Sequence, residues 1–317
     1  MRHGRHEPER TVPVRQWRIH VGAHKTATTH LQETLSMVRA DLAERGVDFI
    51  PTLPLMREQR FAEALCQRRP IARLPIVGPV HMRDAIEATV EPVRIGPDVV
   101  VLSEENVLGL PRHVLATPFY PQADQKIGRL ASLGLEADLR LFLSIRSYDA
   151  LLSSAYAEAL KFALPPPGGF AAARARLLAE PPSWFDLVSR IRDAAPGVPL
   201  RIWRQEDYRS NDKAIMEVLC GRPLGPLPDL PDPARTRSPS AAAIAAAEAL
   251  PLDLSYTERL ARVREVYAVV EPGAARFQPF DAAERRRLRA RYEADLERIA
   301  RVFPDMLMAF DSRELAA

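Results

Sequence analysis

Residues 17–32, WRIHVGAHKTATTHLQ, carry the chain's densest set of groups able to grip an anion. Lys25 supplies a full positive charge, Thr26, Thr28 and Thr29 supply hydroxyl donors, and His24 stands beside them. A strand-like run, RIHV at 18–21, leads into these residues and a helix-compatible run leads out. A turn between strand and helix leaves backbone N–H groups unpaired, and the helix dipole adds partial positive charge at the same point. The spacing departs from the G-x-x-x-x-G-K-[ST] loop of ATP and GTP sites: Gly22 is in place, but Ala27 and Thr28 stand where the second glycine and the lysine belong. Lys25 lies inside the loop instead. Lysine is also scarce, since Lys25, Lys126, Lys161 and Lys213 stand beside 40 arginines. That bias marks position 25 as one that takes a compact ammonium rather than a planar guanidinium.

A second cluster occupies residues 138–156, DLRLFLSIRSYDALLSSAY. Its apolar run suits a buried strand, and Arg146 falls at the carboxyl end, the edge at which open α/β sheets bind ligands. Ser154 follows eight residues later on a helix expected to start near Asp149, with Tyr156 just beyond. Taken alone, Arg146 reads equally as a helix cap or an ion-pair partner. A third cluster, VVVLSEENVLG at 99–109, sets Ser103, Glu104, Glu105 and Asn106 just past an apolar strand. Adjacent residues of an extended chain face opposite ways, so one carboxylate of the pair is expected to face the loop. Acid after four apolar residues is also the pattern that holds magnesium in NTPases. His24 and Glu58 are further candidates for a base. Glu206 and Asp207, in LRIWRQEDY at 200–208, read as helix caps and arginine partners.

The order His24-Lys25-Thr26-Ala27-Thr28-Thr29, followed by Leu31 and Gln32, resembles the 5′-phosphosulfate loop of sulfotransferases that use 3′-phosphoadenosine 5′-phosphosulfate (PAPS). It is most similar to the bacterial branch whose loop reads H-K-T-G-T-T, with Ala27 in place of that family's glycine. Arg146, Ser154 and Tyr156 resemble the family's 3′-phosphate motif, and the segment around Glu105 resembles its S-x-E-N-x-x-G stretch. Arg235, Arg237 and Ser238 resemble its late basic loop, without the asparagine common to bacterial members.

This resemblance implies a three-layer P-loop NTPase-like α/β fold with a central parallel sheet and helical insertions. It implies sulfuryl transfer from PAPS to a hydroxyl or amine acceptor, a carbohydrate, lipid or small metabolite, with no metal. Gly22, Lys25, Thr26, Ala27, Thr28 and Thr29 would hold the 5′ side of the donor, and Arg146, Ser154 and Arg237 the 3′-phosphate. Lys25 would neutralise the leaving phosphate, and Glu105, with Glu104 or His24 as alternatives, would take the acceptor's proton. Two other readings stay open: a magnesium-dependent nucleotide kinase or NTPase using Lys25 and Glu104 or Glu105, and a non-catalytic anion-binding protein of the same fold, which Ala27 keeps in play.

The elements that must position these residues follow from the apolar pattern. Strand-like runs at 18–21, 47–50, 98–103, 139–145 and 200–204 alternate with helix-compatible sequence, which predicts a parallel sheet with helices on both faces. A helix is expected over about 28–45, closed by Gly46. Pro and Gly clusters make 160–183 read as a mobile loop or lid over the acceptor, and make 221–240 a long functional loop. Asp281 caps a helix through 303 with Leu288, Tyr292, Leu296 and Ile299 on one face. Interspersed acids along that helix argue against a nucleic-acid surface. Residues 1–15 read as a disordered basic tail and 16–317 as one domain. The net charge is only +3. With no apolar signal core and no run of eighteen apolar residues, a cytoplasmic protein without a membrane span is expected. Cys66 and Cys220, the two cysteines, suggest neither a disulfide framework nor a metal site. The acceptor's identity and the oligomeric state have no readable code.

Overall fold

In the computed structural model, which describes residues 16–50, 98–131, 138–162, 164–230, 238–269 and 273–310, the expected strands form one sheet. They are β1 (Gln16–His20), β2 (Val47–Ile50), β3 (Val99–Ser103), β4 (Asp138–Ile145) and β5 (Leu200–Arg204), all parallel, in the order β2-β3-β1-β4-β5. Strand β1 is central. The chain runs from it to the β2 edge, returns through β3, and only later fills the other side with β4 and β5. Such a reversal leaves a crevice beyond the carboxyl end of the central strand, between the loops that follow β1 and β4.

Alternation along the strands sorts the core into two layers. Trp17, Ile19, Val100, Leu102, Leu141 and Leu143 pack on one face, and Val99, Val101, Phe142 and Trp203 on the other. Helices α1 (Thr28–Met37), α2 (Arg39–Glu44) and α7 (Gln205–Cys220) cover the second face through Leu31, Leu35, Leu42, Ile215 and Leu219. Helices α3 (Ala123–Ala131), α4 (Tyr148–Ala159), α5 (Gly169–Ala179), α6 (Trp184–Ala194), α8 (Ala241–Glu248), α9 (Tyr256–Ala268) and α10 (Ala282–Val302) bury residues in the first layer. The α/β class with helices on both faces of a parallel sheet is therefore as expected. Helix α10 is capped by Asp281, which accepts from Glu284 N, and it buries Leu288, Tyr292, Leu296 and Ile299.

Two expectations need correction. The helix over 28–45 is two helices, broken at Val38 (φ −95°, ψ 12°), before Gly46 (φ +74°) ends the second. The segment 160–183 is no open lid: α5 occupies its middle and buries Phe170, Ala173 and Leu177 against the core. Its flanking prolines and glycines punctuate a helix rather than preventing one. Glu58, Cys66, Arg235 and Arg237 lie outside the described residues. Cys220 is buried. Among the described residues no helix is long and apolar enough to cross a membrane.

Candidate functional site

The loop after β1 is pinned from below. Val21 N and Ala23 N donate to Phe142 O (2.9 Å) and Ser144 O (2.8 Å), and Ser144 N donates back to Gly22 O (2.6 Å), extending the β1–β4 ladder into the turn. Gly22 has φ +100°, and a Cβ there would come within 2.8 Å of Glu105 Cβ. Glycine is thus required both for the turn and for the approach of the loop to the Glu105 backbone. Lys25 (φ +63°) and Ala27 (φ +67°) are both left-handed, so the backbone curls before α1 begins at Thr28. No acceptor among the described residues meets the N–H groups of residues 25 to 29. Such a concave run of amides attracts anions.

The three threonines divide. Thr26 is buried, and its hydroxyl donates to Ala23 O and bonds Ser144 Oγ. Thr28 is also buried, with its hydroxyl 3.3 Å from the same carbonyl. Only Thr29 is exposed. In a G-x-x-x-x-G-K-[ST] site the hydroxyl after the lysine faces the ion, whereas here the hydroxyl after Lys25 is turned inward.

Behind Thr26 lies a relay that sequence reasoning missed. His20 is fully buried; its Nε2 is 3.0 Å from Ser144 Oγ, its Nδ1 is 2.8 Å from Ser103 Oγ, and its ring stacks on Trp203 at 4.8 Å. Thr26 must donate to the carbonyl, so Ser144 donates to Thr26, His20 Nε2–H donates to Ser144, and Ser103 donates to Nδ1. Burial lowers the His20 pKa to about 3, which keeps the imidazole neutral and the relay fixed. Gln32 on α1 extends it, donating to Ser103 O at 2.9 Å and reaching Glu105 Oε2 at 3.5 Å. The available signal was a lone histidine inside an apolar strand.

His24 is buried as well. Its N–H donates to Tyr120 OH (3.1 Å), and the same hydroxyl is 2.9 Å from Nδ1. No other acceptor for that phenol proton exists among the described residues, so it goes to Nδ1 and leaves the proton of His24 on Nε2. Nε2 is buried without a hydrogen bond, near the Asn106 side chain. Burial lowers the pKa to about 4. In this tautomer His24 presents a hydrogen-bond donor at Nε2.

The two glutamates after β3 have separate environments. Glu104 is buried; its Oε1 accepts from Asn106 N (2.9 Å) and Asn106 Nδ2 (2.6 Å), capping a short 3₁₀ turn at Glu105–Val107. Burial first, and Glu105 second, push its pKa up to about 7. Buried Lys126 steadies the turn by donating to Asn106 O at 3.2 Å. Glu105 packs under Gly22, faces Gln32, and feels both Lys25 and Glu158. Its pKa is raised by burial, with Lys25 opposing.

Arg146 leaves the end of β4 and donates from Nη1 to Lys25 O at 2.8 Å, so the second cluster touches the first. Its own carbonyl accepts from Trp184 Nε1 (2.9 Å), its Nε is buried without a partner, and Glu206 Oε1 accepts from the next amide, Ser147 N, at 2.8 Å. Asp207 pairs with Arg204 at 2.7 Å. Helix α4 then begins at Tyr148, and Ser154 is buried on the stripe that also carries Ser147, Leu151 and Glu158. Tyr156 lies off that stripe; it is buried and donates to Glu248. Glu158 was not foreseen, although it stands one turn beyond Ser154; its Oε2 is 3.2 Å from Lys25 Nζ and 3.0 Å from Lys161 Nζ. Those two lysines lower its pKa against the effect of burial. Ser238, from the late loop, is exposed.

The assembled site is a cradle of amides with one exposed hydroxyl, one buried imidazole donor, a lysine, an arginine and the half-buried carboxylate of Glu105, all at the carboxyl edge of β1, β3 and β4. No group of three or more His, Cys, Asp or Glu residues suited to a metal ion occurs among the described residues. No protein-family model and no curated protein matches the chain. A solved structure described as a sulfotransferase from Alicyclobacillus acidocaldarius is similar over 71% of this chain and 89% of its own, at 16% identity and a TM-score of 0.41. A likeness of that size assigns no role to any residue.

Proposed function

We propose that the protein is a sulfotransferase that moves the sulfuryl group of PAPS to a hydroxyl or amine on a carbohydrate, lipid or small metabolite. One observation carries this reading: a loop whose amides at 25 to 29 meet no acceptor among the described residues, and which carries Lys25, is hydrogen-bonded directly to Arg146, so two cationic groups stand at one sheet edge. A donor with phosphates at both its 5′ and 3′ positions needs two such anchors. An arginine fork suits a terminal phosphate, and Ser154 two turns along α4 would complete its shell.

In the reaction a bond forms from the acceptor oxygen or nitrogen to sulfur as the bond from sulfur to the 5′-phosphate oxygen breaks. The nucleotide leaves as adenosine 3′,5′-bisphosphate, and the acceptor's proton passes to Glu105. Lys25 and the amides of residues 25 to 29 neutralise charge growing on the leaving phosphate, and Nε2–H of His24 adds a donor already stripped of water. Burial makes Glu105 a stronger base than a surface carboxylate. Glu104, occupied by Asn106, holds the turn that aims Glu105.

Thermal unfolding tests the donor class. Adenosine 3′,5′-bisphosphate at about a hundred times its dissociation constant stabilises by about 2.7 kcal/mol and raises the melting temperature by several degrees. Stabilisation by ATP with magnesium and none by the bisphosphate overturns the reading.

A further inference from the structure

Two of the chain's four lysines share a single carboxylate oxygen at the mouth of the anion loop. Glu158 Oε2 stands between Lys25 Nζ and Lys161 Nζ, and the side chains of Lys25, Glu158 and Lys161 remain 33%, 22% and 28% exposed. The cluster is therefore reachable from solvent, unlike the relay behind it. Lys161 is set by a second element, because its ammonium lies 5.9 Å from the Tyr267 ring of α9, whose hydroxyl donates to Ala157 O at 2.9 Å. Glu158 sits in the last turn of α4, where the helix dipole disfavours an acid, so the lysines rather than the helix hold it there. Without the carboxylate, two like charges would face each other at the mouth of the loop. One anionic oxygen bridging two ammonium groups is the contact that an oxygen of a sulfuryl or phosphoryl group would make.

We infer that Glu158 is a built-in stand-in for the donor's anionic group, and that Lys161 is a second residue contacting the transferred sulfuryl once the donor has displaced Glu158 from Lys25. This rests on the sulfotransferase reading above. Lys25 then serves the bridging oxygen and leaving phosphate, while Lys161 serves the sulfuryl oxygens that the product nucleotide lacks. Glu158 offsets part of the positive charge of Lys25 and Lys161 and must be outcompeted by every incoming donor.

Calorimetric titration of wild type, Glu158→Gln and Lys161→Met with PAPS and, separately, with adenosine 3′,5′-bisphosphate distinguishes the roles. Glu158→Gln is expected to bind both nucleotides about fivefold more tightly, the scale of one part-exposed ion pair. Lys161→Met is expected to lose about tenfold in affinity for PAPS, the scale of a hydrogen bond to a charged group, and nothing for the bisphosphate. Lys161 is a part-exposed side chain, so this variant reports even if Glu158→Gln folds poorly. Equal losses for both nucleotides in Lys161→Met, or no tightening in a folded Glu158→Gln, overturn the inference alone. Failure of wild type to bind either nucleotide overturns the donor reading and this inference with it.

Discussion

The back and the mouth of the loop are built on opposite principles. At the back, Thr26, Ser144, His20 and Ser103 are buried and joined by a relay of hydrogen bonds. At the mouth, Lys25, Glu158 and Lys161 are part-exposed, charged and paired in a way that an incoming anion can replace. A hydroxyl in a phosphate-type loop is therefore no guide to ligand contact: two of the three threonines shape the turn, and one faces out. The comparison separates residues whose loss should unfold the protein from residues whose loss should silence it.

The largest effect expected is at the mouth. Lys25→Ala should lower turnover by about a hundredfold to a thousandfold, the cost of removing one group that stabilises transition-state charge, with the melting temperature little changed; a variant that is unfolded instead would move Lys25 to the structural side. Glu105→Gln should lower turnover by about a hundredfold. The wild-type rate should fall with acid as Glu105 takes its proton, above the ordinary carboxylate range because burial raises its pKa. A rate against pH profile of Glu105→Gln should lack that limb, and its survival would assign the base elsewhere.

Thr26→Val and Thr29→Val form a matched pair. The first strands the proton of Ser144 in the core and should cost about 1–3 kcal/mol in urea unfolding, with donor affinity held in the folded fraction. The second should leave stability unchanged and weaken donor binding severalfold. Reversed results would exchange the roles of back and mouth.

The pH dependence of stability reports on the buried imidazoles and on the carboxyl groups whose pKa the fold shifts, Glu104, Glu105 and Glu158. His20 and His24 stay neutral in the fold down to about 3 and about 4, whereas the unfolded chain takes protons near 6.5. Their contribution is present at neutral pH and is lost as pH falls below 6.5, by up to about 1.4 kcal/mol per pH unit for each imidazole. Glu104 acts in the opposite sense, since the folded carboxyl takes its proton near 7 and the unfolded one near 4.5. Glu104→Gln should therefore steepen the loss of stability between pH 6.5 and 4.5, measured by urea unfolding at stepped pH; an unchanged slope would contradict the environment given to Glu104. The smallest effect is expected at Ala27, whose left-handed backbone carries a Cβ penalty; Ala27→Gly should stabilise by about 1 kcal/mol or slightly less.

How much of this was legible follows from what each feature depends on. The strands at the centre of the sheet were plain because buried parallel strands are nearly continuous apolar runs, as 99–102 and 141–143 are. The break at Val38 was not, because no glycine or proline marks it. Helix α5 was hidden by the Pro-Gly clusters on its flank, although FAAARARLLA reads as a helix once those are set aside. The loop and Arg146 were visible as local patterns. The inward turn of Thr26 was not, since it depends on the register that sets Ser144 of β4 beneath the loop. Glu158 was within reach, because a residue four beyond Ser154 on a helix must share its stripe.

The most direct measurement is a crystal structure with adenosine 3′,5′-bisphosphate bound. The account predicts the 5′-phosphate on the amides of residues 25 to 29 with Lys25 beside it, and the 3′-phosphate on Arg146 and Ser154. A nucleotide bound elsewhere, or seated on the loop with Arg146 still turned to Lys25 O and Ser154 out of contact, would contradict it.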